Sequence, residues 1–359
     1  MKSLLSILLF GSILFADVDY KIENSNIQVN EAYSYNYNRL RLNLNYAEDQ
    51  YFTTMIADGV NYYGKSYIDS TEFALFKTIK SDTPVSTQTN FKDYGKGETY
   101  AKLYRLYGGY EDNKNRLSIG LQNITMGVGR FWNPTNLFNP KNIYAIEPDE
   151  TFGVTAMSYT RHMSDASDLS LIGSIRDDKS FKYAARFKSF LEQVEVGINL
   201  LVSDQTKMVG YELEANLFDT GVEVRSEGAY ISSKLNFVPK DTEFYQAVFG
   251  ADYGFVNGVN LTVESLYSSK EFNDVQILSN LNSEIIQNMT NSKFYAGASL
   301  SYTFNIFLDG SILYIDSFDS YDPFSSATLT YTLNDYNSFI IGVMAQDDET
   351  YYLKWQLSF

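Results

Sequence analysis

The stretch YYLKWQLSF, Tyr351 to Phe359, decides the fold class. Its residues alternate between two kinds, and a period of two places successive side chains on opposite faces of a β-strand. One face carries the apolar and aromatic residues Tyr351, Leu353, Trp355, Leu357 and Phe359. The other face carries Tyr352, Lys354, Gln356 and Ser358. The stretch therefore predicts a strand with an apolar surface on one side and a water-compatible surface on the other.

The same alternation recurs along the chain. In RLRLNLNY (39–46), the apolar face is Leu40, Leu42, Leu44 and Tyr46, and the opposite face begins with Arg39 and Arg41. Segments of the same kind lie at 192–202 and 209–218 and near 114–122, 167–176, 181–189, 221–231, 243–253, 258–268, 293–304, 323–333 and 336–346. Less regular segments lie near 50–58, 99–109, 152–161 and 306–315. The chain is thus predicted to be all-β.

The connections between these segments are of two kinds. Some are tight, such as Asp219-Thr220-Gly221, Phe304-Asn305 and Asn334-Asp335, whereas about 60–97 and 270–291 are long polar stretches. Short turns at one end and long loops at the other are typical of a transmembrane β-barrel. Such a sheet must close because lipid offers no hydrogen-bond partner to an open edge. Roughly seventeen candidate segments predict about 16 strands, with 14 or 18 as alternatives, since single-chain bacterial barrels have even numbers.

Composition agrees with a wall that faces lipid on one side and water on the other. The chain has 30 Tyr and 25 Phe, yet its mean hydropathy is -0.24. It has no cysteine, which excludes disulfide scaffolds, thiol enzymes and cysteine-based metal sites. Its formal net charge of -16 argues against a nucleic-acid partner, because proteins that bind nucleic acids are usually basic.

The first sixteen residues, MKSLLSILLFGSILFA, have the pattern of a secretory signal peptide. Lys2 provides the positively charged n-region, residues 4–15 form the apolar h-region, and Ala16 is the small residue that precedes the cleavage site. The alternative is a buried helix or a membrane anchor. A spanning helix needs about 20 apolar residues, and this apolar run is shorter. The domain prediction is therefore a signal peptide at 1–16 and one barrel at 17–359.

Signals for enzymatic or metal chemistry are weak. The single histidine, His162, is interpreted as a solvated residue near a strand end, although a Ser-His-acid triad would have to use it. The acidic clusters at 147–150 and 347–350 could bind calcium, but neither fits an EF-hand loop, and solvated turns are the favoured interpretation. We predict no enzyme activity, no cofactor and no metal.

Charged residues on the water-facing side divide along the chain. Basic residues come early: Arg39, Arg41, Arg116, Lys182, Arg186 and Lys188. Acidic residues dominate later: Glu195, Glu212, Glu214, Glu223, Glu227, Asp252 and Glu264, with Arg225 as an exception. Two opposed walls of this kind would set up a transverse field across a water-filled pore. The alternative is that these charges pair with one another and with inserted loops.

One segment, GRFWNPTNLFNP (129–140), abandons the alternation. Its prolines cannot donate to a sheet ladder, and Gly127 and Gly129 permit unusual backbone angles. Its aromatic residues, including Trp132, favour packing over exposure to water. We predict that a loop at about 125–150 folds into the lumen as a constriction or plug; a cap over the mouth or an interface with a neighbouring barrel is the alternative. Arg130 is the preferred solute contact, with an ion pair to Glu147, Asp149 or Glu150 as its alternative role.

GVGRFWNPTNLFNP (127–140) followed by EPDETFGV (147–154) resembles a signature of porin-like bacterial outer-membrane barrels. The resemblance covers this segment only. The closing strand also resembles those of bacterial outer-membrane barrels, in which such a Phe-terminated strand is recognised by the barrel-assembly machinery; Tyr351, Leu353, Trp355, Leu357 and Phe359 would form that signal. What the resemblance implies is an outer-membrane barrel that acts as a channel.

These observations predict a porin or solute-specific channel in the outer membrane of a Gram-negative bacterium, passing small hydrophilic solutes by diffusion. Its candidate lumen residues are Arg130, Trp132, Arg39, Arg41, Arg186, Glu212, Glu214 and Glu223. Its expected partners are outer-membrane lipids, the assembly machinery and the solutes, with a homotrimer left open. A surface adhesin or structural barrel with a blocked lumen is the main alternative; a transporter of hydrophobic compounds and a hydrolase rank below it.

Overall fold

The computed structural model describes residues 17–319 and 323–359, so the expected signal peptide at 1–16 lies outside the described residues. Within them, eighteen long strands form one antiparallel sheet. The first nine are β1 (Asp17–Val29), β2 (Tyr33–Glu48), β3 (Tyr51–Tyr63), β4 (Gly97–Glu111), β5 (Asn115–Gln122), β6 (Val154–Ser164), β7 (Ser167–Ile175), β8 (Phe181–Leu191) and β9 (Val194–Ser203). The others are β10 (Thr206–Asn216), β11 (Val222–Ser233), β12 (Thr242–Gly254), β13 (Val259–Ser268), β14 (Phe294–Asn305), β15 (Leu308–Asp316), β16 (Phe324–Asn334), β17 (Asn337–Ala345) and β18 (Glu349–Ser358).

The sheet closes on itself into a barrel. Each strand pairs with the next in the chain, and β18 returns to pair with β1 from Lys21 opposite Ser358 to Val29 opposite Thr350. Closure leaves no row of unpaired backbone N–H and C=O groups at an edge. The predicted closed barrel is confirmed; the favoured count of about sixteen is wrong, and eighteen, one of the two alternatives, is the number found.

The strand that the sequence prediction missed is β1. Its outward residues begin as Val18, Tyr20 and Ile22 but continue as Asn24 and Asn26, whose amides bond to those of β2. Because asparagines stand on the face that should be apolar, the sequence of β1 does not show the apolar–polar alternation of the other strands. The other seventeen strands overlap the predicted segments.

The two ends of the barrel differ as predicted. At one end, which we call the turn end, adjacent strands are joined by two to five residues, as at 49–50 and 217–221. At the other end, the loop end, three connections are long: 64–96, 123–153 and 269–293. Most residues that are not part of the strands therefore lie in these three loops, at the loop end of the barrel.

Alternate residues of each strand face outward and inward. On β10, Val209 and Tyr211 are exposed on the outer face, whereas Met208 and Glu212 are buried on the inner face. A polar or charged residue that is buried in a single-layer wall must contact something inside the barrel. The inner faces therefore already indicate that the lumen is partly filled.

Short helices occur in two of the long loops. They are α1 (Lys65–Ile68) and α2 (Thr71–Phe76) in 64–96, and α3 (Asp274–Ser279) in 269–293. In the described part of the chain, no helix is long and apolar enough to cross a membrane.

Segment 87–93 completes the wall beside β4. The strand β5 pairs with β4 only from Leu106 towards the turn end, which leaves the loop-end part of β4 without a neighbour on that side. There the amide of Leu103 donates to Thr87 at 2.7 Å and that of Thr89 to Ala101 at 2.9 Å. The chain can therefore leave the wall after β5 and turn inward without exposing an edge.

An apolar cluster fills the loop-end half of the lumen on one side. The loops contribute Ile124, Met126, Leu137, Phe138, Phe272, Ile285 and Met289, and the wall contributes inward residues of β6 to β12 such as Ile172, Leu201, Ile231 and Phe244. Burying a side chain of this size stabilises a fold by roughly 1.5–3 kcal/mol. The inner face is therefore less uniformly charged than the sequence interpretation assumed, and its apolar half is covered by loops.

Candidate functional site

The connection 123–153, which we call the inserted segment, crosses the inside of the barrel. Its backbone cannot follow the wall, because Pro134 and Pro140 lack the N–H that a ladder needs. Gly127 has a φ of 91°, and a Cβ there would meet the Glu227 carboxylate at 2.5 Å. Asn139 ties the two ends of the segment together, since its Oδ1 accepts from the Ile124 amide at 2.6 Å and its Nδ2 donates to Phe152 O.

Three carboxylates on the wall bind the backbone of the inserted segment. We call Glu212 (β10), Glu227 (β11) and Glu264 (β13) the acid row; all three are almost completely buried. Glu227 accepts from the amides of Val128 at 2.7 Å and Gly129 at 3.0 Å, while Glu212 accepts from another amide of the segment. The other oxygen of Glu227 accepts from the amide and hydroxyl of Thr135 at 2.8 and 2.7 Å.

Glu264 does the same for the next three residues of the segment. It accepts from the amides of Arg130 at 2.8 Å, Phe131 at 2.8 Å and Trp132 at 2.9 Å. A segment without regular secondary structure must satisfy its buried N–H groups elsewhere, and a carboxylate is the strongest acceptor that a protein offers. The acid row therefore replaces the missing sheet ladder of the segment.

The far end of the inserted segment contacts the opposite wall. Arg39 and Arg41 on β2 and Lys354 on β18 form what we call the basic wall. Arg39 Nη2 lies 3.0 Å from Glu147 Oε1, Arg41 Nη1 lies 2.8 Å from Glu150 Oε1, and Lys354 also pairs with Glu147. The interpretation of 147–150 as a solvated turn is therefore wrong, because both glutamates are held against the barrel.

The protonation of Glu150 reflects these contacts. Burial would raise the pKa of Glu150, but the hydrogen bonds from Arg41 and the charge of Arg39 outweigh it and lower the pKa to about 2. Arg41 is held in turn by Asp58 at 2.7 Å. The segment thus spans from the acid row to the basic wall, where the ionised Glu150 binds Arg41.

Most inward charges predicted from sequence are paired. Arg186 pairs with Glu212, Lys188 with Glu195, and Arg225 with Asp252 and Glu264. Lys182 donates to Leu137 O at 3.1 Å, and Arg116 pairs with Glu111 near the turn end. The charges lie on opposed walls, as the transverse-field hypothesis requires. They pair with one another and with an inserted loop, however, which is the arrangement of the alternative hypothesis.

Arg130 binds different acids from those expected. Its guanidinium lies 2.8 Å from Glu223, 3.1 Å from Asp252 and 3.7 Å from Glu214. Pairing with Glu147, Asp149 or Glu150 is therefore wrong, since Glu147 and Glu150 bind the basic wall and Asp149 pairs with Lys141. The Arg130 side chain remains 47% exposed, so it still faces the water of the lumen.

Trp132 is buried rather than open to the pore. It is 9% exposed and packs with Phe131 and Tyr295, whose ring centroid lies 6.1 Å from its own. The cluster continues into Val248 and Leu266 of the wall. Trp132 therefore anchors the inserted segment to β12, β13 and β14.

The weaker sequence candidates lie elsewhere. His162 stands at the end of β6, half exposed, with Asp168 as its hydrogen-bond partner and no serine hydroxyl among its described contacts. Asp347 and Asp348 lie in the turn between β17 and β18. In the described ranges, no three His, Cys, Asp or Glu residues are grouped so as to hold a metal ion.

The expected assembly residues of β18 form a row on the outer wall. Tyr351, Leu353 and Phe359 are exposed, and Trp355 and Leu357 are half-buried. Trp355 Nε1 donates to Asn337 Oδ1 on β17 at 3.1 Å. Their inner neighbours Tyr352 and Lys354 are buried.

Two cavities flank the inserted segment. The charged cavity, of about 490 Å³, lies towards β2, β3 and β4 and is lined by residues such as Arg39, Asp58, Lys102, Glu147 and Glu150. The amide cavity, of about 390 Å³, lies towards β12 to β17 and is lined mainly by aromatic, aliphatic and amide side chains. The segment therefore divides the lumen into two chemically different spaces.

Lys102 is a cation that the sequence interpretation missed. Its Nζ lies 4.3 Å from the centre of the Phe152 ring and 5.0 Å from that of Tyr104, and among the described residues no carboxylate lies within ion-pair distance. A register shift between β3 and β4 at Ile56 and Ala57 brings both Lys102 and Arg105 to the inner face. Strict alternation places residues three apart on opposite faces, so only the irregularity of 99–109 could have signalled this.

Comparison with known proteins shows the fold. No protein-family model matches the chain, and no curated protein matches it in sequence. Solved structures do: OccK8 (OprE) of Pseudomonas aeruginosa superposes with a TM-score of 0.62 at 9% identity over 97% of this chain and 99% of that chain. OpdK of the same organism, solved with vanillate, gives 0.60 at 9% identity over 97% and 100%.

A structure from a second organism agrees. OccAB4 of Acinetobacter baumannii gives a TM-score of 0.56 at 11% identity over 96% of this chain and 98% of that chain. The molecule is thus a closed barrel of the same architecture as these proteins.

Proposed function

We propose that the protein is an outer-membrane channel through which small hydrophilic solutes diffuse without chemical change. The observation that carries the proposal is the inserted segment, fixed between the acid row and the basic wall with a cavity on each side. A pre-formed narrowing lined by fixed charges selects solutes by size and charge. The exposed apolar outer wall fits the hydrocarbon of a membrane, where only a closed sheet can lie.

Within this channel, we propose that the charged cavity favours solutes with a carboxylate. Lys102 is its cation without a carboxylate partner among the described residues, and the rings of Phe152 and Tyr104 beside it shield its charge from bulk water. A solute carboxylate there would gain an ion pair that the protein does not already make. The similarity in fold to OpdK, a structure solved with vanillate, is consistent with a carboxylate-bearing solute.

The test is ion selectivity in planar bilayers. Replacing Lys102→Gln should shift the reversal potential in a salt gradient towards cations and slow carboxylate uptake into liposomes. Lys207→Gln, which removes an exposed lysine from the outer face of β10, is the matched control and should change neither. Unchanged selectivity in Lys102→Gln would refute the carboxylate preference, and absence of conductance in the wild type would refute the channel.

A second candidate function is a structural or adhesive barrel with a blocked lumen. It is favoured by the apolar cluster in which 123–153 and 269–293 pack together, and by the hydrogen bonds of Asn282 to Thr78 and Lys80 that join 269–293 to 64–96. Liposome swelling separates the two functions. A blocked barrel gives no swelling with any solute, whereas a channel gives swelling that falls with solute size.

The remaining partners are proposals as well. The segment 1–16 would direct export and be cleaved after Ala16. The outer row of β18 would be recognised by the barrel-assembly machinery of a Gram-negative cell. For a homotrimer, the interface that we propose is the outward asparagine patch, Asn24, Asn26, Asn36 and Asn38, in which Asn24 Nδ2 donates to Asn38 Oδ1 at 2.6 Å. Sedimentation of detergent-solubilised wild type and of an Asn26→Leu variant tests it: a trimer should weaken in the variant, and a monomeric wild type refutes the proposal.

A further inference from the structure

The amide cavity differs in chemistry from the charged cavity on the other side of the inserted segment. Of the described residues that line it, only Lys141 carries a charge, and its ammonium lies 2.7 Å from Asp149. The rest of its polar lining is neutral and includes Asn142, Gln287, Asn291 and Gln346. An ion entering this space would lose water without gaining an opposite charge. The cavity therefore suits a neutral solute.

Two amide side chains of the cavity are open to a ligand. Gln287 and Gln346 line the cavity, are exposed to water, and make no side-chain hydrogen bond to any described residue. Each amide offers both a donor and an acceptor. Such groups match a ligand whose hydroxyls also donate and accept.

Aromatic rings form the other part of the lining. Trp132 and Tyr295 lie with ring centroids 6.1 Å apart, and Tyr144 stands edge-on to Phe324 at 5.1 Å. Aromatic faces bind the C–H surface of a ring that carries hydroxyls at its rim, because they take up its apolar face while leaving the rim free. The volume of about 390 Å³ lies in the range of small-molecule sites, roughly 300–1,000 Å³.

We propose that the amide cavity is a binding subsite for a neutral polyhydroxylated solute of the size of a monosaccharide. This deepens the proposed function and rests on it for the entry of solute into the lumen. The subsite holds the solute between the exposed Tyr144 and the Gln346 amide, next to the buried Trp132, and apart from the charged cavity, where Lys102 binds carboxylates. The two sides of the inserted segment then serve two solute classes.

Binding can be measured without transport. The chain has two tryptophans, Trp132 and Trp355, so a Trp355→Phe background leaves Trp132 as the single tryptophan, and its emission can be excited selectively over that of the tyrosines. Titration of the detergent-solubilised full chain with glucose should change this fluorescence saturably. Glucuronate, which keeps the pyranose ring and carries a carboxylate at C6, should bind there at least about tenfold more weakly because its charge finds no partner. Binding therefore reports on the subsite even if the protein does not conduct.

Two variants and a matched control locate the site. Tyr144→Ala and Gln346→Leu should each weaken glucose binding by roughly three- to tenfold, the loss of one ring contact or one hydrogen bond. Gln88→Leu, the same kind of substitution in the lining of the charged cavity, should leave it unchanged. The inference is overturned if glucose leaves the Trp132 fluorescence unchanged, if glucuronate binds as well as glucose, or if both variants bind as the background protein does. If the protein binds glucose but shows no swelling or conductance, the subsite is supported and the channel function is refuted.

Discussion

The acid row holds the inserted segment by its backbone, whereas the basic wall holds it by the side chains of Glu147 and Glu150. Glu212, Glu227 and Glu264 are 1%, 0% and 3% exposed. The side chains of Glu147 and Glu150 are 25% and 27% exposed. Buried charge-assisted bonds are costly to break because the amides left behind find no other acceptor, while half-open ion pairs are screened by salt and replaced by water.

This difference predicts unequal roles for the two attachments. The acid row fixes where the segment lies, since its partners are consecutive amides whose positions do not depend on side-chain rotamers. The basic wall adjusts the charge and the width of the space next to it. Mutations at the acid row should therefore change stability and pore size together, and mutations at the basic wall should change mainly selectivity.

The largest effect is expected from Glu227→Ala. It removes the acceptor of three backbone amides and one hydroxyl of the inserted segment, and each buried donor left unsatisfied costs about 1–3 kcal/mol. We expect the free energy of unfolding to fall by roughly 3 kcal/mol or more and the single-channel conductance to rise as the segment leaves the wall. Thermal unfolding in detergent and planar-bilayer recording measure the two.

The matched control for that variant is Glu243→Ala, which removes a carboxylate from the outer face of β12. It should leave conductance unchanged and shift stability by less than about 1 kcal/mol. If Glu227→Ala behaves like this control, the acid row does not hold the segment.

Gly127→Ala should have the next largest effect. A Cβ at this position would meet the Glu227 carboxylate at 2.5 Å, and the φ of 91° is unfavourable for alanine in any case. Gly95→Ala is the control that separates the contact with Glu227 from the backbone strain. Gly95 has nearly the same φ, 92°, with nothing within 4 Å of the added Cβ. We expect Gly127→Ala to destabilise the protein by about 1–3 kcal/mol more than Gly95→Ala in thermal unfolding. Equal losses would mean that the close approach to Glu227 has no energetic role.

The sequence predicted the barrel because alternation repeats seventeen times, and each repeat is a local signal. It failed at β1, where outward asparagines such as Asn24 and Asn26 bond to one another and hide the apolar face. The total of eighteen follows only once β1 is found to pair with β18. Such closure is a contact between the two ends of the chain, which no local pattern contains.

The site was predictable in part for the same reason. Prolines and glycines in 127–140 showed that the segment leaves the wall, and alternation placed Arg39, Arg41 and Glu212 on the inner face. The hydrogen-bond partners of the segment could not be predicted, because the carboxylates that accept from its amides lie 85 to 134 residues away along the chain. Arg130 was paired with the wrong acids, since sequence proximity to 147–150 says nothing about which wall each part of the segment reaches.

At the basic wall, Glu150→Gln should have a moderate effect that depends on salt and pH. The pKa of Glu150 in the folded protein, about 2, lies below its ordinary value. Its ion pair with Arg41 therefore stabilises the fold above the ordinary carboxyl pKa, and this contribution is lost as the pH falls through about 2.

Stability of the wild type should thus decline between about pH 4.5 and pH 2 more steeply than that of Glu150→Gln, which has no proton to bind. The difference should shrink at 1 M salt, where the Debye length is about 3 Å. Thermal unfolding at stepped pH, compared between the two proteins, checks this. Parallel pH profiles would show that Glu150 does not couple the segment to the basic wall.

The smallest effect is expected from Arg130→Gln. Its guanidinium is 47% exposed and bonds to Glu223 and Asp252, which Arg225 also approaches, so the acids keep a cation when Arg130 is lost. The Arg130 amide, which binds Glu264, is unaffected by the side chain. We expect a stability change of at most about 1 kcal/mol together with a modest gain in cation preference, measured as a shift in reversal potential. A loss as large as that of Glu227→Ala would mean that the side chains, and not the backbone amides, hold the segment against the acid row.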